Sequence, residues 1–380
     1  MKLNFGFNEE WKELKKFNNL NDKQRSIVFY AENKASMNHF RLLILELTEE
    51  RNFQICYITS VKNDPILSIN DKNILAFYIG DGIVRTKFFL ELKAKILIMD
   101  MPDLDSFHIK RSKIFPVHYI YIFHSMFSVH SYLRKGAVDH YDTIFCVGEH
   151  HKREILETEK IYGLKPKKLV NYGFGRLDTL LKEQSNFKKE ELNTKNLIII
   201  APTYGNSNLL KICGVKLIET LLDSNFKVLL RPHFRIFKES KDLIKIILDK
   251  FQNNNNFLLE EGIIKPQIFH SSRCMISDWS GISLEYAFVF ERPIIYIDVP
   301  KKELNAEVDK IDLQPIEVSI REKIGYLVEP DNLTEIPNII SEINDESRAE
   351  QIRDIRSKTV FNIGKSASIG ADHITEILEK

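Results

Sequence analysis

The segment from Met275 to Ala287 reads MISDWSGISLEYA and has the form of a short strand, a turn and a helix. The apolar strand ends at Asp278, and the small residues Ser280, Gly281 and Ser283 lead into the helix. Free N–H groups and a partial positive charge at the start of a helix favour a bound phosphate. Serine hydroxyls can add donors, and glycine lets the backbone approach a ligand closely. We therefore predict a phosphate site here, with helix capping by Ser283 as the simpler alternative.

Glu285 lies slightly further along the same predicted helix. A carboxylate at that point can accept hydrogen bonds from two ribose hydroxyls. Asp278 and Glu285 therefore join the serines and the glycine as candidate contacts of a nucleotide donor. The occurrence of all five directly after one strand favours a ligand site over an ordinary cap.

Short apolar strands alternate with helical patterns on both sides of this segment, which is typical of parallel strands joined by helical crossovers. The 380 residues also exceed what one hydrophobic core normally holds. We predict an α/β protein with two Rossmann-like, doubly wound domains facing across a cleft. The Lys-rich stretch 182–195 marks the boundary between them. The predicted divisions are an N-terminal acceptor-side domain at 1–185, a donor-binding domain at 186–365, and a C-terminal helix at 366–380 that can pack back on the first domain.

The composition excludes several classes of protein. Lys plus Arg number 54 and Asp plus Glu 53, so net charge gives no reason to expect nucleic-acid binding. The four cysteines have no metal-ligand spacing and are expected to be free thiols in a reducing compartment. No signal peptide or apolar run near 20 residues is found, so we expect a cytoplasmic protein that can still touch the inner membrane from inside. Residues 5–17 could form an interfacial helix, or a surface helix that packs on its own domain.

Two further segments of the C-terminal half follow predicted strands. In VLLRPHF, a buried strand delivers Arg231 and His233 to the carboxyl edge of the sheet. Arg231 can bind a phosphate, and His233 can donate to a leaving phosphate or act as an acid. In APTYGNS, Thr203 offers a hydroxyl for a base or phosphate contact. The alternatives are a surface arginine, a loop histidine and ordinary loop chemistry.

In the N-terminal half, the strand YIYIF ends at His124. A histidine there is a candidate general base for an acceptor hydroxyl. His130 would need an unusual turn to reach the same ligand, and His118 is expected to pack in the structure. Further on, YGFGRLD forms a tight turn in which Arg176 reaches a phosphate or pairs with Asp178.

Other mechanisms lack their motifs. The chain has no GxxxxGK[ST], HExxH or GxSxG sequence, and no GxGxxG after its first strand, so a nicotinamide dehydrogenase is not expected. The adjacent His150 and His151 do not face the same side of a helix and are not interpreted as a metal pair. These residues therefore give no reason to expect a metal site or a nicotinamide cofactor, and a nucleotide donor would enter as substrate rather than as a cofactor.

The order of motifs resembles the CDP-glycerol glycerophosphotransferase family of teichoic acid and capsule polymerases. The residues that carry this resemblance are FHS (123–125), YGFGRLD (172–178), APTYG (201–205), LRPHF (230–234), SDWSGISLEYAF (277–288) and ERPIIYI (291–297). The resemblance implies a metal-independent GT-B enzyme. It places His124 at the proposed base, His233 near the donor phosphate, and Ser280 with Gly281 at a phosphate-binding pair of serines.

The chain departs from the family pattern at three points: FHS replaces WHG, PTYG lacks a basic residue, and Gly281 replaces a serine. The resemblance implies transfer of glycerol phosphate or a related alditol phosphate from a CDP-linked donor to a cell-surface glycan or lipid-linked acceptor. Asp278, Gly281 and Glu285 also match the D-x-x-G-x-x-x-E spacing of GT-B enzymes that use nucleotide sugars. A glycosyltransferase or epimerase-like enzyme therefore remains an alternative, as does a non-catalytic GT-B-like subunit.

Overall fold

The computed structural model describes residues 7–185, 196–261, 266–301 and 305–380. The chain divides into two compact units. Unit 1 consists of residues 1–179, 305–312 and 359–380, and unit 2 consists of residues 180–304 and 313–358. Of the predicted linker 182–195, residues 186–195 lie outside the described ranges.

Within the described residues, unit 1 has a sheet of seven parallel strands in the order β3-β2-β1-β4-β5-β6-β7. The strands are β1 (Ile27–Ala31), β2 (Ile55–Thr59), β3 (Ile74–Tyr78), β4 (Ile96–Met99), β5 (His118–Ile122), β6 (Thr143–Cys146) and β7 (Lys168–Asn171). Chain order reverses direction between β1 and β4. In an open α/β sheet, such a reversal marks where ligands bind, beyond the carboxyl ends of the strands.

The helices of unit 1 are α1 (Phe7–Asn18), α2 (Met37–Leu45), α3 (Ile83–Glu91), α4 (Val129–Tyr132), α5 (Glu149–Tyr162), the boundary helix α6 (Gly175–Gln184) and, as numbered below, the C-terminal helix α16 (Ser366–Glu379). The aromatic residue Phe17 of α1 is buried against Phe77 and Phe88, so this helix packs on its own unit. The terminal helix contacts α2 within the same unit.

Unit 2 has, in its described part, a sheet of six parallel strands in the order β10-β9-β8-β11-β12-β13. They are β8 (Leu197–Ala201), β9 (Lys227–Leu230), β10 (Phe257–Leu259), β11 (Cys274–Ser277), β12 (Ile294–Ile297) and β13 (Gly325–Val328). The reversal here falls between β8 and β11. Both sheets are doubly wound, as the alternating pattern predicted.

The helices of unit 2 are α7 (Leu209–Asp223), α8 (Ile236–Glu239), α9 (Lys241–Phe251), α10 (Pro266–Ser271), α11 (Ile282–Phe290), α12 (Ile316–Ser319), α13 (Arg321–Ile324), α14 (Ile336–Glu342) and α15 (Asp345–Thr359). The side chain of Asn208 accepts the Lys211 N–H and caps α7. No helix in the described ranges is both long and apolar enough to cross a membrane.

The compact units differ in detail from the predicted domain boundaries. Residues 305–312 and 359–365 belong to unit 1, although the sequence placed them in the second domain. Two contacts account for part of this difference. Asn305 donates to the backbone oxygen of His130 at 2.8 Å, and the Phe361 N–H donates to the oxygen of Val147 at 2.9 Å.

Candidate functional site

The candidate residues of unit 2 follow β8, β9 and β11, three neighbouring strands, at the carboxyl edge of the sheet. Ala201 pairs with Ser277, so the residues that follow these two strands emerge side by side. Because the strands are parallel neighbours, the segments that follow them lie at the same edge of the sheet although they are far apart in sequence. Each candidate side chain is described below by what it contacts.

Asp278 is 1% exposed, and its carboxylate holds the loop after β8 in place. One oxygen accepts the Thr203 N–H at 2.7 Å and the other accepts the Leu209 N–H at 2.9 Å. Burial raises the pKa of Asp278 to about 6, and the hydrogen bonds from these backbone groups oppose that rise. The sequence predicted a direct donor contact for Asp278. The structure instead uses both oxygens internally, which makes Asp278 a residue that shapes the Thr203 loop.

The two serines of the predicted phosphate site have different environments. Ser283 is 1% exposed; its hydroxyl donates to the Ser280 oxygen at 2.8 Å and accepts from the Tyr296 hydroxyl at 3.2 Å. Ser283 is therefore turned into the unit, away from any ligand at the helix start. Ser280 and Gly281 are half-buried just before α11. Gly281 has an ordinary helical φ of −59°, so what this glycine provides is the absence of a side chain rather than an unusual backbone.

Glu285 lies in the first turn of α11 and is half-buried. Trp279 anchors the turn before the helix, because its indole N–H donates to the Val299 oxygen at 2.8 Å. The strand–turn–helix form predicted for this segment is therefore present. The Ser283 N–H donates to the Ser280 oxygen at 3.0 Å, and the other N–H groups of the first turn of α11 lie at a helix start, a position that suits an anion.

Arg231 and His233 follow β9 at the same edge. The His233 ring packs against Tyr204 at 4.6 Å between ring centroids, and the Arg235 guanidinium lies 4.2 Å from the Tyr204 ring on a cation–π contact. The Arg235 N–H donates to His233 Nδ1 at 3.3 Å. In its neutral form His233 therefore carries its proton on Nε2, where it can donate to a phosphate oxygen. The guanidinium of Arg231 lies 5.9 Å from the Phe269 ring.

Tyr204 and Arg235 were not among the predicted site residues. Both belong to the segments that were singled out, yet aromatic and cationic residues in loops give little signal alone. Only the pairing of β8 with β9 places the PTYG and RPHF segments together. PTYG lacks the basic residue of the family pattern, but the Arg235 guanidinium places a positive charge against Tyr204 in that segment.

In unit 1, His124 follows β5 and is half-buried. Its Nδ1 lies 3.2 Å from the backbone oxygen of Asp100 and 3.4 Å from the Tyr121 hydroxyl. Because a carbonyl oxygen only accepts, Nδ1 carries the proton and Nε2 has the free lone pair of a base. Burial lowers the pKa of His124, so the ring is neutral at neutral pH.

Two further titratable residues of unit 1 gather near His124, and the sequence did not identify either. The rings of His39 and His124 lie 6.4 Å apart, and burial lowers the pKa of His39 to about 3. Asp100 directly follows β4; burial raises the pKa of its carboxyl, which accepts from the Ser36 hydroxyl at 2.9 Å, to about 7. Asp278 was selected because it directly follows an apolar strand. The segment KILIMD (95–100) has the same pattern, so Asp100 could have been selected in the same way.

The other histidines singled out in unit 1 are internal. His130 is buried, with Nδ1 at 3.1 Å from a Glu154 oxygen. His118 lies at the amino end of β5, the opposite edge from His124, and its Nε2 contacts the Thr143 hydroxyl at 2.8 Å. His118 therefore packs in the structure, as predicted.

The YGFGRLD turn anchors the C-terminal segment of the chain. Asp178 accepts from the Gly364 N–H at 2.7 Å and from the Ser366 hydroxyl at 2.5 Å. Gly173 has φ of 103°, and a side chain there would meet the Phe361 backbone oxygen. Asp178 is thus engaged with the start of α16 and the residue two positions before it, and it holds this segment of the chain.

Comparison with known proteins follows from this geometry. A family model described as CDP-glycerol:poly(glycerophosphate) glycerophosphotransferase matches residues 14–306. No curated protein matches the chain.

Solved structures give the fold. A variant of the wall teichoic acid polymerase TagF with CDPG soaked in has a TM-score of 0.61 and 15% identity, covering 98% of this chain and 94% of that one. The UDP-GlcNAc 2-epimerase from Methanocaldococcus jannaschii has a TM-score of 0.58 and 15% identity, covering 93% and 99%. S. aureus MnaA with UDP has a TM-score of 0.61 and 12% identity, covering 93% and 96%. These similarities confirm the predicted GT-B class.

Proposed function

This chain belongs to the CDP-glycerol:poly(glycerophosphate) glycerophosphotransferase family, and we propose that unit 2 binds its CDP-linked donor while His124 of unit 1 is the general base. As a member of that family the protein is a transferase. It moves glycerol phosphate, or a related alditol phosphate, from a nucleotide-linked donor to a hydroxyl of a glycan acceptor. The assignment of residues to these roles is our proposal.

The observation that carries the donor site is the half-buried Ser280–Gly281 turn at the start of α11, beside the reversal between β8 and β11. Amide groups at a helix start and the Ser280 hydroxyl suit the donor diphosphate. Arg231 adds a guanidinium fork, and Nε2 of His233 adds a further donor. Glu285 is proposed to accept from the ribose hydroxyls, and the Thr203 loop to contact the base or a phosphate.

The base is assigned from the tautomer of His124. Its Nδ1–H donates to the Asp100 oxygen, which leaves Nε2 to accept a proton from the acceptor hydroxyl. A neutral imidazole is the form that a base requires, and burial favours it. Burial lowers the pKa of His39 to about 3 and raises the pKa of the Asp100 carboxyl to about 7, so both groups are uncharged in mildly acidic solution, which suits an uncharged hydroxyl bound beside them.

The proposed reaction forms one oxygen–phosphorus bond and breaks another. The acceptor oxygen attacks the phosphorus that carries the alditol, and its proton passes to His124 Nε2. The anhydride bond to the cytidylyl phosphate breaks, and CMP leaves with the bridging oxygen and the electron pair. Arg231, His233 and the start of α11 would stabilise the charge that develops on CMP. We propose that these groups suffice and that no metal or cofactor takes part.

We further propose a cell-surface polymer as the product, because the similar TagF is a wall teichoic acid polymerase. A lipid-linked acceptor would bring the protein to the cytoplasmic face of the inner membrane. The loop between β4 and β5 offers a surface for that contact, with Ile114 61% exposed next to exposed Lys113. Co-sedimentation with vesicles containing about 30% anionic lipid tests this, and Ile114→Ser should weaken it. Equal sedimentation of both proteins would contradict the loop assignment.

The function is tested by incubating the purified protein with CDP-glycerol and a lipid-linked saccharide that carries glycerol phosphate. CMP should be released in an amount equal to the glycerol phosphate added to the acceptor. Thermal shifts with CDP-glycerol, CDP-ribitol, CMP, UDP-GlcNAc and a GDP-sugar compare the donors directly. Stabilisation by a UDP- or GDP-sugar alone would refute the proposed donor and favour the nucleotide-sugar alternative, which the Gly281 and Glu285 spacing also fits.

A further inference from the structure

The adjacent histidines of α5 contact the segment that carries His124. His150 Nε2 lies 3.0 Å from the Met126 oxygen, and His151 Nε2 lies 2.8 Å from the Phe127 oxygen. Because both partners are carbonyls, both imidazoles donate from Nε2. Two successive backbone groups, two and three residues after His124, are thus held by one turn of helix.

His151 is fixed at both of its ring nitrogens. Its Nδ1 accepts the Val147 N–H at 3.3 Å, so the ring is neutral with a single tautomer. The ring is fully buried and lies 3.8 Å from the Phe123 ring, centroid to centroid. The residue that packs on His151 is therefore the direct chain neighbour of His124.

Glu154 extends the same contact surface by one helical turn. It is 2% exposed, and one of its oxygens accepts the Val129 N–H at 2.5 Å and the His130 N–H at 3.4 Å. The same oxygen lies 3.1 Å from His130 Nδ1. A buried carboxylate is costly unless hydrogen-bond donors surround it, and here the two backbone N–H donors, of Val129 and His130, belong to the segment after β5.

We infer that His150, His151 and Glu154, here called the α5 clamp, are positioning residues that hold loop 124–130 and thereby aim Nε2 of His124. At the start of the loop, the His124 ring donates from Nδ1 to the Asp100 carbonyl oxygen. The α5 clamp holds the backbone further along the loop. Within the loop, the Ser125 hydroxyl accepts the Phe127 N–H at 3.2 Å. The inference rests on the base role proposed for His124. An apolar α5 would pack as well but would leave at least four backbone groups of the loop without these partners.

The test uses His150 because it is half-buried, so its replacement should leave the chain folded. In His150→Ala, kcat for transfer should fall at least tenfold while the donor KM stays within about twofold, since donor binding is assigned to unit 2. His150→Gln should recover most of the turnover, because its amide can donate to the Met126 oxygen. Glu154→Gln, which keeps an acceptor oxygen, should lie between these two variants.

His373→Gln is the matched control. His373 is a half-buried histidine of α16 in the same unit. Its Nε2 contacts the Thr143 hydroxyl at 3.4 Å and its Nδ1 lies 3.6 Å from Glu376, and these partners, among the described residues, lie outside loop 124–130. This variant should keep wild-type kcat even if it lowers the melting temperature. A loss of kcat in His373→Gln equal to that in His150→Ala would show a general effect of instability and overturn the inference.

A measurement without turnover separates the inference from the proposed function. Nitrogen-15 histidine spectra of the full chain report the tautomer and pKa of His124, assigned by the signal lost in His124→Gln. In His150→Ala the Nδ1–H signature should become mixed and the pKa should rise toward the ordinary histidine value. If the wild-type protein releases no CMP, the proposed function is wrong. The spectra still test whether the α5 clamp positions the His124 ring. An unchanged His124 signal in folded His150→Ala would overturn it.

Discussion

The two sheets place an aspartate at the same point and surround it differently. Asp100 follows β4 and Asp278 follows β11, and each strand pairs with the first strand of its unit at the reversal of strand order. The Asp278 carboxylate accepts two backbone N–H groups of the loop after β8, whereas Asp100 accepts the single hydroxyl of Ser36 from the loop after β1. Burial raises the pKa of both carboxyls, to about 7 for Asp100 and about 6 for Asp278, and the hydrogen-bond donors of each oppose that rise.

The residues around Asp100 and Asp278 show how the same fold can provide two different chemical environments. Near Asp100, burial keeps His39 and His124 neutral, which suits the removal of a proton from a hydroxyl. Near Asp278, the carboxylate shapes a loop, while Arg231 and the helix start provide the positive charge that phosphates need. Under the proposed assignment, unit 1 carries the proton chemistry and unit 2 binds the anionic donor.

The largest effect is expected at His124. His124→Gln should lower kcat by about 10²–10⁴-fold, because the amide cannot accept a proton at neutral pH. Binding of CMP, measured by calorimetry, should be unchanged. His233→Gln provides the contrast, since it should weaken CMP binding as well as turnover. Equal loss of CMP affinity in both variants would contradict the division of labour.

The next effect concerns pH and Asp100. Its folded pKa of about 7 lies above the ordinary value of 3.8, so this group stabilises the fold fully below pH 4 and loses that contribution as pH rises through 7. Between pH 4 and 8, the free energy of unfolding of wild type should fall relative to Asp100→Asn by on the order of 3–4 kcal/mol.

Each unit contains one of the two tryptophans, Trp11 in unit 1 and Trp279 in unit 2. A Trp279→Phe background therefore reports unfolding of unit 1 by the fluorescence of Trp11. Urea titrations across the pH range in this background measure the difference between wild type and Asp100→Asn. A pH-independent difference would show that the Asp100 pKa is not raised.

A smaller effect distinguishes the two aspartates at constant pH. Asp278→Ala leaves the buried Thr203 and Leu209 N–H groups without their acceptor and should cost about 2–3 kcal/mol. Asp100→Ala should cost about 1 kcal/mol, because the Ser36 hydroxyl can rotate toward another partner. Fluorescence of the one remaining tryptophan, Trp11 in a Trp279→Phe background or Trp279 in a Trp11→Phe background, assigns each loss of unfolding free energy to its unit. Similar losses in both variants would argue against the difference in donors.

The smallest effect lies within unit 2 and compares its two serines. Ser280→Ala should weaken CMP binding several-fold, since this hydroxyl is assigned to the phosphates. Ser283→Ala should leave CMP affinity unchanged and lower the free energy of unfolding by about 1 kcal/mol, because its hydroxyl bonds within the unit. Calorimetry measures the affinity for CMP, and urea unfolding measures the free energy of unfolding. The reverse pattern would place the phosphates elsewhere.

Much of the fold was accessible from local pattern. The strands before Asp278, Arg231 and His124 and the turn at SDWSG were recognised because apolar runs and small residues reflect backbone geometry over a few residues. The strands β7 (KLVN), β10 (FLL) and β13 (GYLV) carry a weaker signal, because each has at most three consecutive apolar residues.

The sequence by itself determined the doubly wound class, the small residues before α11, and the histidines that end β5 and follow β9. Tertiary structure alone decided that Ser283 and Asp278 face inward while Ser280 stays accessible, because burial depends on strand pairing across long stretches of chain. It also brought His39 and Asp100 to His124 and set the tautomer of that ring. Hydrogen-bond partners distant in sequence fix which nitrogen carries the proton, and no local pattern records them.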